Sequence, residues 1–173
     1  KWELADMVRF AVELGAPAAV RYPRGTAYDG FKEYRKPIEY GKSEAVFEEE
    51  DIVLFSVGHM FETAVKVREV LKETGYSCSL VNARFVKPID EAMIELAAKE
   101  HRLLVTIEEN VCSGGYGETV LEFVHRKRLD VRVLPVALPD DYIEHGSVDV
   151  LRREVMLDAD SIATRIITEY ISQ

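Results

Sequence analysis

The stretch Ile52-Val53-Leu54-Phe55-Ser56-Val57 carries the main information about the fold. It is apolar almost throughout and has the length of a strand rather than of a helix. A strand without alternation of apolar and polar residues is typical of a parallel sheet that helices cover on both faces. The stretch therefore predicts an α/β domain.

Helix and strand patterns alternate along the chain after this strand. Met60, Ala64, Val67 and Leu71 predict one face of a helix that Gly75 ends. The further predicted elements are strands at 78–81, 103–107 and 131–136, a helix opened by Pro88 with Asp90 as N-cap, a helix that ends in the basic run 125–128, and a final helix from about 161 to 171. This alternation predicts parallel strands joined by right-handed crossovers.

A short strand is also predicted before residue 52. Residues 44–47 have strand character, and the acidic run 48–51 predicts a solvated hairpin turn into residues 52–57. The hairpin would make the short strand antiparallel to its neighbour. The whole pattern predicts a three-layer α/β/α domain over about residues 44–173, with a five-stranded, mostly parallel sheet and one antiparallel strand at its edge side.

The first 43 residues lie outside this pattern. Apolar residues at three- and four-residue steps between residues 2 and 14 predict an amphipathic helix, and residues 18–22 predict a strand that ends at Arg24. One helix and one strand cannot form a core by themselves. We therefore expect residues 1–25 to be the tail of a preceding domain that is cut away here, and residues 26–43 to be a linker over the surface.

Composition narrows the classes of function. The 173 residues include 22 basic and 31 acidic side chains, a net charge of −9, so neither a nucleic-acid nor a membrane partner is expected. No apolar run approaches the ~20 residues of a membrane helix, and no signal pattern opens the chain. Cys78 and Cys112 lack the spacing of a disulfide framework or a zinc site, which favours the reducing cytoplasm.

The sharpest short motif is Arg21-Tyr22-Pro23-Arg24-Gly25. Open α/β sheets bind ligands beyond the carboxyl ends of their strands, where Arg24 is expected to stand. A guanidinium there suits bidentate capture of a phosphate or carboxylate, and Gly25 lets the backbone turn away. The alternative from the residues alone is a structural ion pair or a solvated loop arginine.

The Gly-rich loop 113–117 does not fit a dinucleotide-binding fingerprint. Val120 stands where the fingerprint requires Gly or Ala, and Glu108 and Glu109 just before the loop would repel a pyrophosphate. The expected role of the loop is tight packing onto the start of a helix. Cys112 beside it is a candidate exposed thiol, but no base that could activate it is visible.

Neither a metal site nor a catalytic constellation is visible in the sequence. The four histidines, His59, His101, His125 and His145, are scattered and lack the spacing of metal ligands. The paired carboxylates at 108–109 and 140–141 have no acid or base partner that the sequence shows. We therefore predict no metal ligand and no catalytic residue within this chain.

Five motifs in a fixed order resemble one known family. The motifs are Ala19-Val20-Arg21-Tyr22-Pro23-Arg24-Gly25, Ala83-Arg84-Phe85-Val86-Lys87-Pro88-Ile89-Asp90, Val105-Thr106-Ile107-Glu108-Glu109-Asn110, Gly114-Gly115-Tyr116-Gly117 and Leu138-Pro139-Asp140-Asp141-Tyr142-Ile143-Glu144-His145-Gly146. Together they closely resemble the carboxyl-terminal part of the 1-deoxy-D-xylulose-5-phosphate synthases, a family of the thiamine-diphosphate-dependent transketolase superfamily. The resemblance covers nearly the whole chain.

The resemblance implies a division of the chain and an activity for the intact parent. Residues 1–25 match the end of a pyrimidine-binding domain, residues 26–43 a linker and residues 44–173 the transketolase C-terminal domain. In this family, with thiamine diphosphate and Mg²⁺ as cofactors, pyruvate loses CO₂ and condenses with glyceraldehyde 3-phosphate. The product feeds isoprenoid, thiamine and pyridoxal phosphate synthesis.

The resemblance also implies what this chain contributes. Arg24 matches the arginine that holds the acceptor phosphate, and the implied partners are the remaining domains of the parent and a second subunit in a homodimer. The magnesium-diphosphate motif Gly-Asp-Gly, the activating glutamate and the catalytic histidines of the family have no counterpart here. The chain alone is therefore expected to bind no cofactor and to be inactive, with a structural and dimerising role.

Three other interpretations stay open at the level of the sequence. Transketolases share the fold but have Ser-Arg at the strand end where this chain has Tyr22-Pro23-Arg24-Gly25. The β chains of 2-oxoacid dehydrogenases share the fold and generally lack the arginine. A third interpretation is a stand-alone α/β interaction module without a catalytic part.

Overall fold

A computed structural model describes residues 1–172 of the chain. Within this range the helices and strands follow one another in an α/β order. They are α1 (Trp2–Glu13), β1 (Glu44–Phe47), β2 (Ile52–Ser56), α2 (Met60–Glu73), β3 (Cys78–Asn82), α3 (Glu91–Glu100), β4 (Leu103–Val111), α4 (Tyr116–Lys127), β5 (Arg132–Leu138), α5 (Val148–Glu154) and α6 (Ala159–Ile171).

Strand β2 lies in the middle of a five-stranded sheet with the order β1-β3-β2-β4-β5. It pairs in parallel with β3 on one side and β4 on the other, so that Leu54 faces Leu80 and Val105. All five of its residues are buried. β5 continues the sheet in parallel, and β1 is antiparallel at the opposite edge. The predicted mostly parallel α/β/α sheet is confirmed.

Two hydrophobic cores lie on opposite faces of the sheet. Helices α2 and α6 cover one face, where Leu54 and Val105 pack in the first core. Helices α3 and α4 cover the other face, where Val53 and Phe55 pack in the second core. Successive residues of β2 thus point to opposite cores, which explains why its sequence is apolar without alternation.

Sequence signals at two helix ends are confirmed. Gly75 adopts a φ of 90° after α2, and its N–H donates to the carbonyl of Lys72 at 3.0 Å. This left-handed position ends the helix because residues with a Cβ rarely adopt it. At the start of α3, the Asp90 side chain accepts from the Met93 N–H at 3.2 Å, as an N-cap does.

The predicted hairpin between β1 and β2 is wrong. β1 is antiparallel, as expected, but its neighbour is β3, with Ala45 facing Val81. Both edges of β2 are already taken by the parallel strands β3 and β4, which leaves no edge for β1. The acidic run therefore carries the chain past β3 instead of turning back along β1.

Three further elements differ from the prediction. Residues 18–22 form no strand: nearly all of them are exposed, and no strand within residues 1–172 lies beside them to pair with. β4 continues four residues beyond Ile107. Helix α5 was not expected, since it has seven residues and none of them is buried, so no apolar face marks it in the sequence.

Residues 26–43 pack against the domain through an aromatic cluster. The ring of Phe31 lies between 5.5 and 6.2 Å, centroid to centroid, from the rings of Tyr28, Tyr34, Phe47 and Phe61. Phe47 ends β1 and Phe61 lies in the first turn of α2. Contacts of this kind stabilise beyond simple burial, so this segment is anchored to the sheet domain. The boundary at residue 44 stays a prediction.

The acidic run is not wholly solvated, because Glu49 pairs with the buried Arg68. The Arg68 guanidinium lies over the ring of Phe47 at 3.9 Å, and its Nε donates to the carbonyl of Cys78 at 3.0 Å. Glu49 also accepts from the Cys78 N–H at 3.1 Å. Burial acts to raise the pKa of Glu49, but the Cys78 N–H and the Arg68 cation outweigh it, so this pKa is lowered.

We predict that Glu49→Gln lowers the free energy of unfolding at pH 7 by about 1–3 kcal/mol, since Arg68 loses its charged acceptor. The folded-state pKa of Glu49 lies below its ordinary value of 4.5. Its contribution is therefore complete above that ordinary value and is lost as the pH falls through the folded-state pKa. Urea unfolding from pH 7 to about pH 3 should show that the difference in unfolding free energy between Glu49→Gln and the unmodified chain becomes smaller as the pH falls.

The matched control is Glu48→Gln, which removes the same charge from an exposed neighbouring position. Its unfolding free energy should stay within about 0.5 kcal/mol of that of the unmodified chain. An equal loss for both variants, or a gap for Glu49→Gln that does not change with pH, would contradict the assignment.

Candidate functional site

The carboxyl ends of β2 and β4 form the topological switch point of the sheet. The chain leaves β2 into α2 on one face and leaves β4 into α4 on the other, and the two strands are neighbours. Ligands of open α/β sheets bind in the crevice at such a point. This crevice is therefore the first place to look for a site within the sheet domain.

A carboxylate of the domain itself occupies the start of α4, the place in this crevice where an anionic ligand could bind. The Glu108 carboxylate accepts from the N–H of Tyr116 at 2.9 Å and from the N–H of Gly117 at 2.7 Å, at the start of α4. Glu108 is buried, with 3% of its surface exposed. The positive end of the helix dipole and free N–H groups are what a phosphate uses in related sheets. Here the carboxylate takes that place.

The Gly-rich loop makes this contact possible by close approach. A Cβ on Gly115 would lie 2.8 Å from Glu108 Oε1, and a Cβ on Gly117 would lie 2.6 Å from Thr106 Oγ1. Both distances are too short for a real side chain. The predicted role of the loop, tight packing onto a helix start, agrees with this geometry.

Glu109 ties the crevice to two further elements. One oxygen pairs with His59 at the start of α2, and the other accepts from Arg152 Nε of α5 at 3.0 Å. These groups are partly exposed. The side chains that sequence reasoning left without partners, Glu108 and Glu109, thus hold the carboxyl edge together. The partners of Glu108 are backbone N–H groups and those of Glu109 come from distant segments, which is why the sequence alone did not reveal them.

The contacts described at this edge hold loops in place. Cys112 is exposed, as expected, but no described base lies within hydrogen-bond reach of its thiol. Burial raises the pKa of the Tyr116 hydroxyl, and the nearby carboxylates of Asp90 and Glu108 add to the effect. Within residues 1–172, no group of three His, Cys, Asp or Glu side chains is placed to hold a metal ion.

The predicted phosphate ligand Arg24 belongs to none of the described helices and strands. It is exposed in the segment between α1 and β1, beside Gly25 with a φ of 127°. The strand on which its placement was argued is not formed within the described chain. Its role as a phosphate ligand stays a prediction for the intact parent.

A buried arginine anchors the helix that precedes Arg24. The Arg84 side chain, 3% exposed, donates from Nε to Glu3 of α1 at 2.6 Å and also pairs with Glu44 of β1. Asn82 donates to the same Glu3 carboxylate at 2.9 Å. Helix α1 therefore sits at the carboxyl end of β3 through charge-assisted contacts, which are stronger than neutral ones. Sequence spacing gave no signal for them, since 81 positions separate Glu3 from Arg84.

Comparison with known protein families identifies the family of the sheet domain. Residues 41–162 match the family described as the C-terminal domain of transketolase. The chain belongs to the transketolase C-terminal domain family. The match begins three residues before β1 and ends in α6, so it covers the complete sheet of this transketolase C-terminal domain.

Curated relatives of this transketolase C-terminal domain are 1-deoxy-D-xylulose-5-phosphate synthases. The protein from Lachnoclostridium phytofermentans is 42% identical over 166 residues, which cover 95% of this chain and 27% of the relative. The protein from Aquifex aeolicus is 42% identical over 160 residues, or 92% of this chain and 26% of the relative. The chain thus spans about a quarter of these relatives and matches their C-terminal part.

A solved structure supports the same fold. A split-gene transketolase, described as an inactive β4 tetramer, superposes with a TM-score of 0.86 at 23% identity, over 94% of this chain and 53% of that one. At this level of identity the likeness establishes the fold alone. No helix within residues 1–172 has both the length and the apolar composition needed to cross a membrane.

We predict that Glu108→Ala lowers the free energy of unfolding by about 3 kcal/mol, because two buried N–H groups lose a charged acceptor. Glu108→Gln, which keeps an acceptor oxygen, should lose about half as much. Chemical unfolding at neutral pH measures both. Glu122→Ala, on the exposed side of α4, is the control and should stay within about 0.5 kcal/mol. A loss for Glu108→Ala no larger than that of the control would refute the role assigned to this carboxylate.

Proposed function

We propose that this chain is the C-terminal part of a 1-deoxy-D-xylulose-5-phosphate synthase. The observation that carries the proposal is the 42% identity to such a synthase across 95% of the chain. The intact parent would act in the cytoplasm, where it condenses pyruvate with glyceraldehyde 3-phosphate and releases CO₂. Its product would supply isoprenoid, thiamine and pyridoxal phosphate synthesis.

The parent would use thiamine diphosphate and Mg²⁺, but the described residues do not fit this cofactor. A diphosphate needs free N–H groups and cations, and the start of α4 at the switch point already binds the Glu108 carboxylate. No described group of acidic or imidazole side chains is arranged to hold the metal. We therefore assign no catalytic step through the cofactor to this chain.

The proposed contribution of the chain to the reaction is binding of the acceptor phosphate by Arg24. This arginine is exposed, makes no ion pair with another described residue, and follows a proline that fixes the local backbone. Its planar guanidinium can present two parallel N–H donors to a phosphate. Helix α1, which is held by Arg84 and leads directly into this segment, would fix its position relative to the sheet domain.

The remaining proposed role of the sheet domain is structural. It would support the pyrimidine-binding domain, to which residues 1–25 are assigned, and contribute to a homodimer of the parent. The chain by itself would be folded and inactive. The contacts of α1 with Arg84 and of Phe31 with the aromatic cluster support this role, since they join the first 43 residues to the sheet.

We predict that Arg24→Ala in the intact parent lowers kcat/KM for glyceraldehyde 3-phosphate at least about tenfold. Each hydrogen bond to a charged group contributes on the order of 1.5–3 kcal/mol. The KM for pyruvate, which carries no phosphate, should barely change. Arg24→Lys should recover part of the loss, because an ammonium supplies charge without the bidentate geometry. Steady-state kinetics with both substrates measure these effects.

The matched control is Arg21→Ala, which removes an exposed arginine from the same motif. It should change kcat/KM less than about twofold. Parallel measurements with an unphosphorylated aldehyde separate binding from structure. Equal losses of Arg24→Ala with the phosphorylated and the unphosphorylated acceptor would show that Arg24 has a structural role and that the phosphate assignment is wrong.

A further inference from the structure

The Arg84 side chain joins three segments of the chain. Its Nε donates to Glu3 of α1 at 2.6 Å, and its Nη2 donates to Glu44 of β1 at 2.5 Å and to the carbonyl of Lys36 at 3.2 Å. Only 3% of the side chain is exposed. One guanidinium therefore connects α1, the segment 26–43 and the sheet at the carboxyl end of β3.

The backbone of Arg84 has an uncommon conformation. Its φ of 55° lies in the left-handed region, which is costly for a residue other than glycine. The Asn82 side chain stabilises this turn, because its Oδ1 accepts from the Arg84 N–H at 3.3 Å. Its Nδ2 donates to the Glu3 carboxylate at 2.9 Å. Contacts of both backbone and side chain thus fix where the guanidinium lies.

Helix α1 packs on the rest of the chain through one face. Glu3, Asp6 and Phe10 are spaced by three and four residues and therefore share this face. Asp6 pairs with Arg35 at 2.6 Å, and the ring of Phe10 lies 5.8 Å from that of Phe85. None of the residues of α1 is buried. Polar and aromatic contacts along this face, rather than a buried apolar core, therefore set the position of α1.

The contact of α1 with Arg84 is better shielded from water than its contact with Arg35. The Arg35 side chain is 38% exposed, whereas that of Arg84 is 3% exposed. Attraction between charges is stronger where water is excluded. We therefore expect the pair of Glu3 with Arg84 to hold the first turn of α1 more firmly than the exposed pair does.

A small movement of α1 is enough to displace the segment that follows it. Its 12 residues span about 18 Å, so a tilt of about 10° about the first turn moves the far end by about 3 Å. Pro17 and Pro23 restrict the backbone between α1 and Arg24, which transmits part of this displacement. A misplacement of about 1 Å can already weaken productive binding strongly.

We propose that Arg84 is a positioning residue for the acceptor phosphate. Its hydrogen bonds reach Glu3, Glu44 and Lys36, so it acts on Arg24 through α1 and not by direct contact. The inference rests on the proposed role of Arg24 as the phosphate ligand. It adds that the sheet domain, through one buried side chain, sets the affinity of a binding group that lies outside the sheet.

Glu3→Ala in the intact parent tests this role, because Arg84 then keeps Glu44 as a charged partner. Removal of Arg84 would instead leave the buried Glu44 carboxylate without its cation, which can unfold the domain. Glu3→Ala should raise the KM for glyceraldehyde 3-phosphate at least about threefold and leave kcat within about twofold. The KM for pyruvate and kcat/KM for an unphosphorylated aldehyde should change less than about twofold.

The double variant Arg24→Ala/Glu3→Ala shows whether Glu3 acts through Arg24. It should lose no more kcat/KM for glyceraldehyde 3-phosphate than Arg24→Ala alone, because both changes affect the same interaction. An unchanged KM for Glu3→Ala, or additive losses in the double variant, would refute the positioning role while the phosphate role of Arg24 stands. If Arg24→Ala itself shows no selective loss for the phosphorylated acceptor, both roles are refuted.

Amide hydrogen exchange in the 173-residue chain provides a readout without substrate. Arg84→Lys keeps the charge but loses the planar fork that reaches Glu3 and Glu44 together, and it leaves the sequence of α1 unchanged. The amides of α1 should then exchange at least about threefold faster, while those of β2 exchange at the same rate as in the unmodified chain.

The matched control is Arg132→Lys. Arg132 donates to the Glu169 carbonyl at 2.8 Å and so joins β5 to α6, without contact to α1. This variant should change neither the exchange of the α1 amides nor, in the intact parent, the KM for glyceraldehyde 3-phosphate. Unchanged exchange of the α1 amides in Arg84→Lys, or an equal increase in Arg132→Lys, would overturn the proposal.

Discussion

The carboxylate of Glu108 on the first N–H groups of α4 is the contact on which the carboxyl edge of the sheet depends. It fixes α4 over β4, and it requires glycine at position 115, where a Cβ would collide with the carboxylate; at position 117 a Cβ would collide with Thr106 Oγ1. Glu109, the next residue of β4, pairs with His59 and Arg152. Two neighbouring carboxylates, the buried Glu108 and the partly exposed Glu109, thereby connect β4 to α4, α2 and α5.

This contact also limits where a ligand can bind to the chain. In sheets of this topology the switch point and the helix starts beside it form the usual ligand site, and here the Glu108 carboxylate fills the position at the start of α4. Binding groups must then come from elsewhere, and we propose that the N-terminal segment supplies one in Arg24. The sheet domain contributes rigidity through its two cores.

Regular elements with apolar faces could be predicted from the sequence, whereas contacts between distant segments could not. The strand at residues 52–57, the helix ended by Gly75 and the cap at Asp90 follow from local rules of periodicity and backbone geometry. The neighbour of β1 depended on which edges were free, a property of the whole sheet. The predicted strand at 18–22 had the right composition but no partner, and strands form only as pairs. The buried pairs of Arg68 and Arg84 carry no local signal at all.

The crystal structure of the intact parent with an unreactive, phosphate-bearing analogue of the acceptor aldehyde tests the central claim most directly. We expect the phosphate within hydrogen-bond distance, about 2.7–3.1 Å, of the Arg24 guanidinium. We also expect Glu108 to remain on the N–H groups of Tyr116 and Gly117. A phosphate bound at those N–H groups with Glu108 displaced, or one that makes no contact with Arg24, would contradict the account.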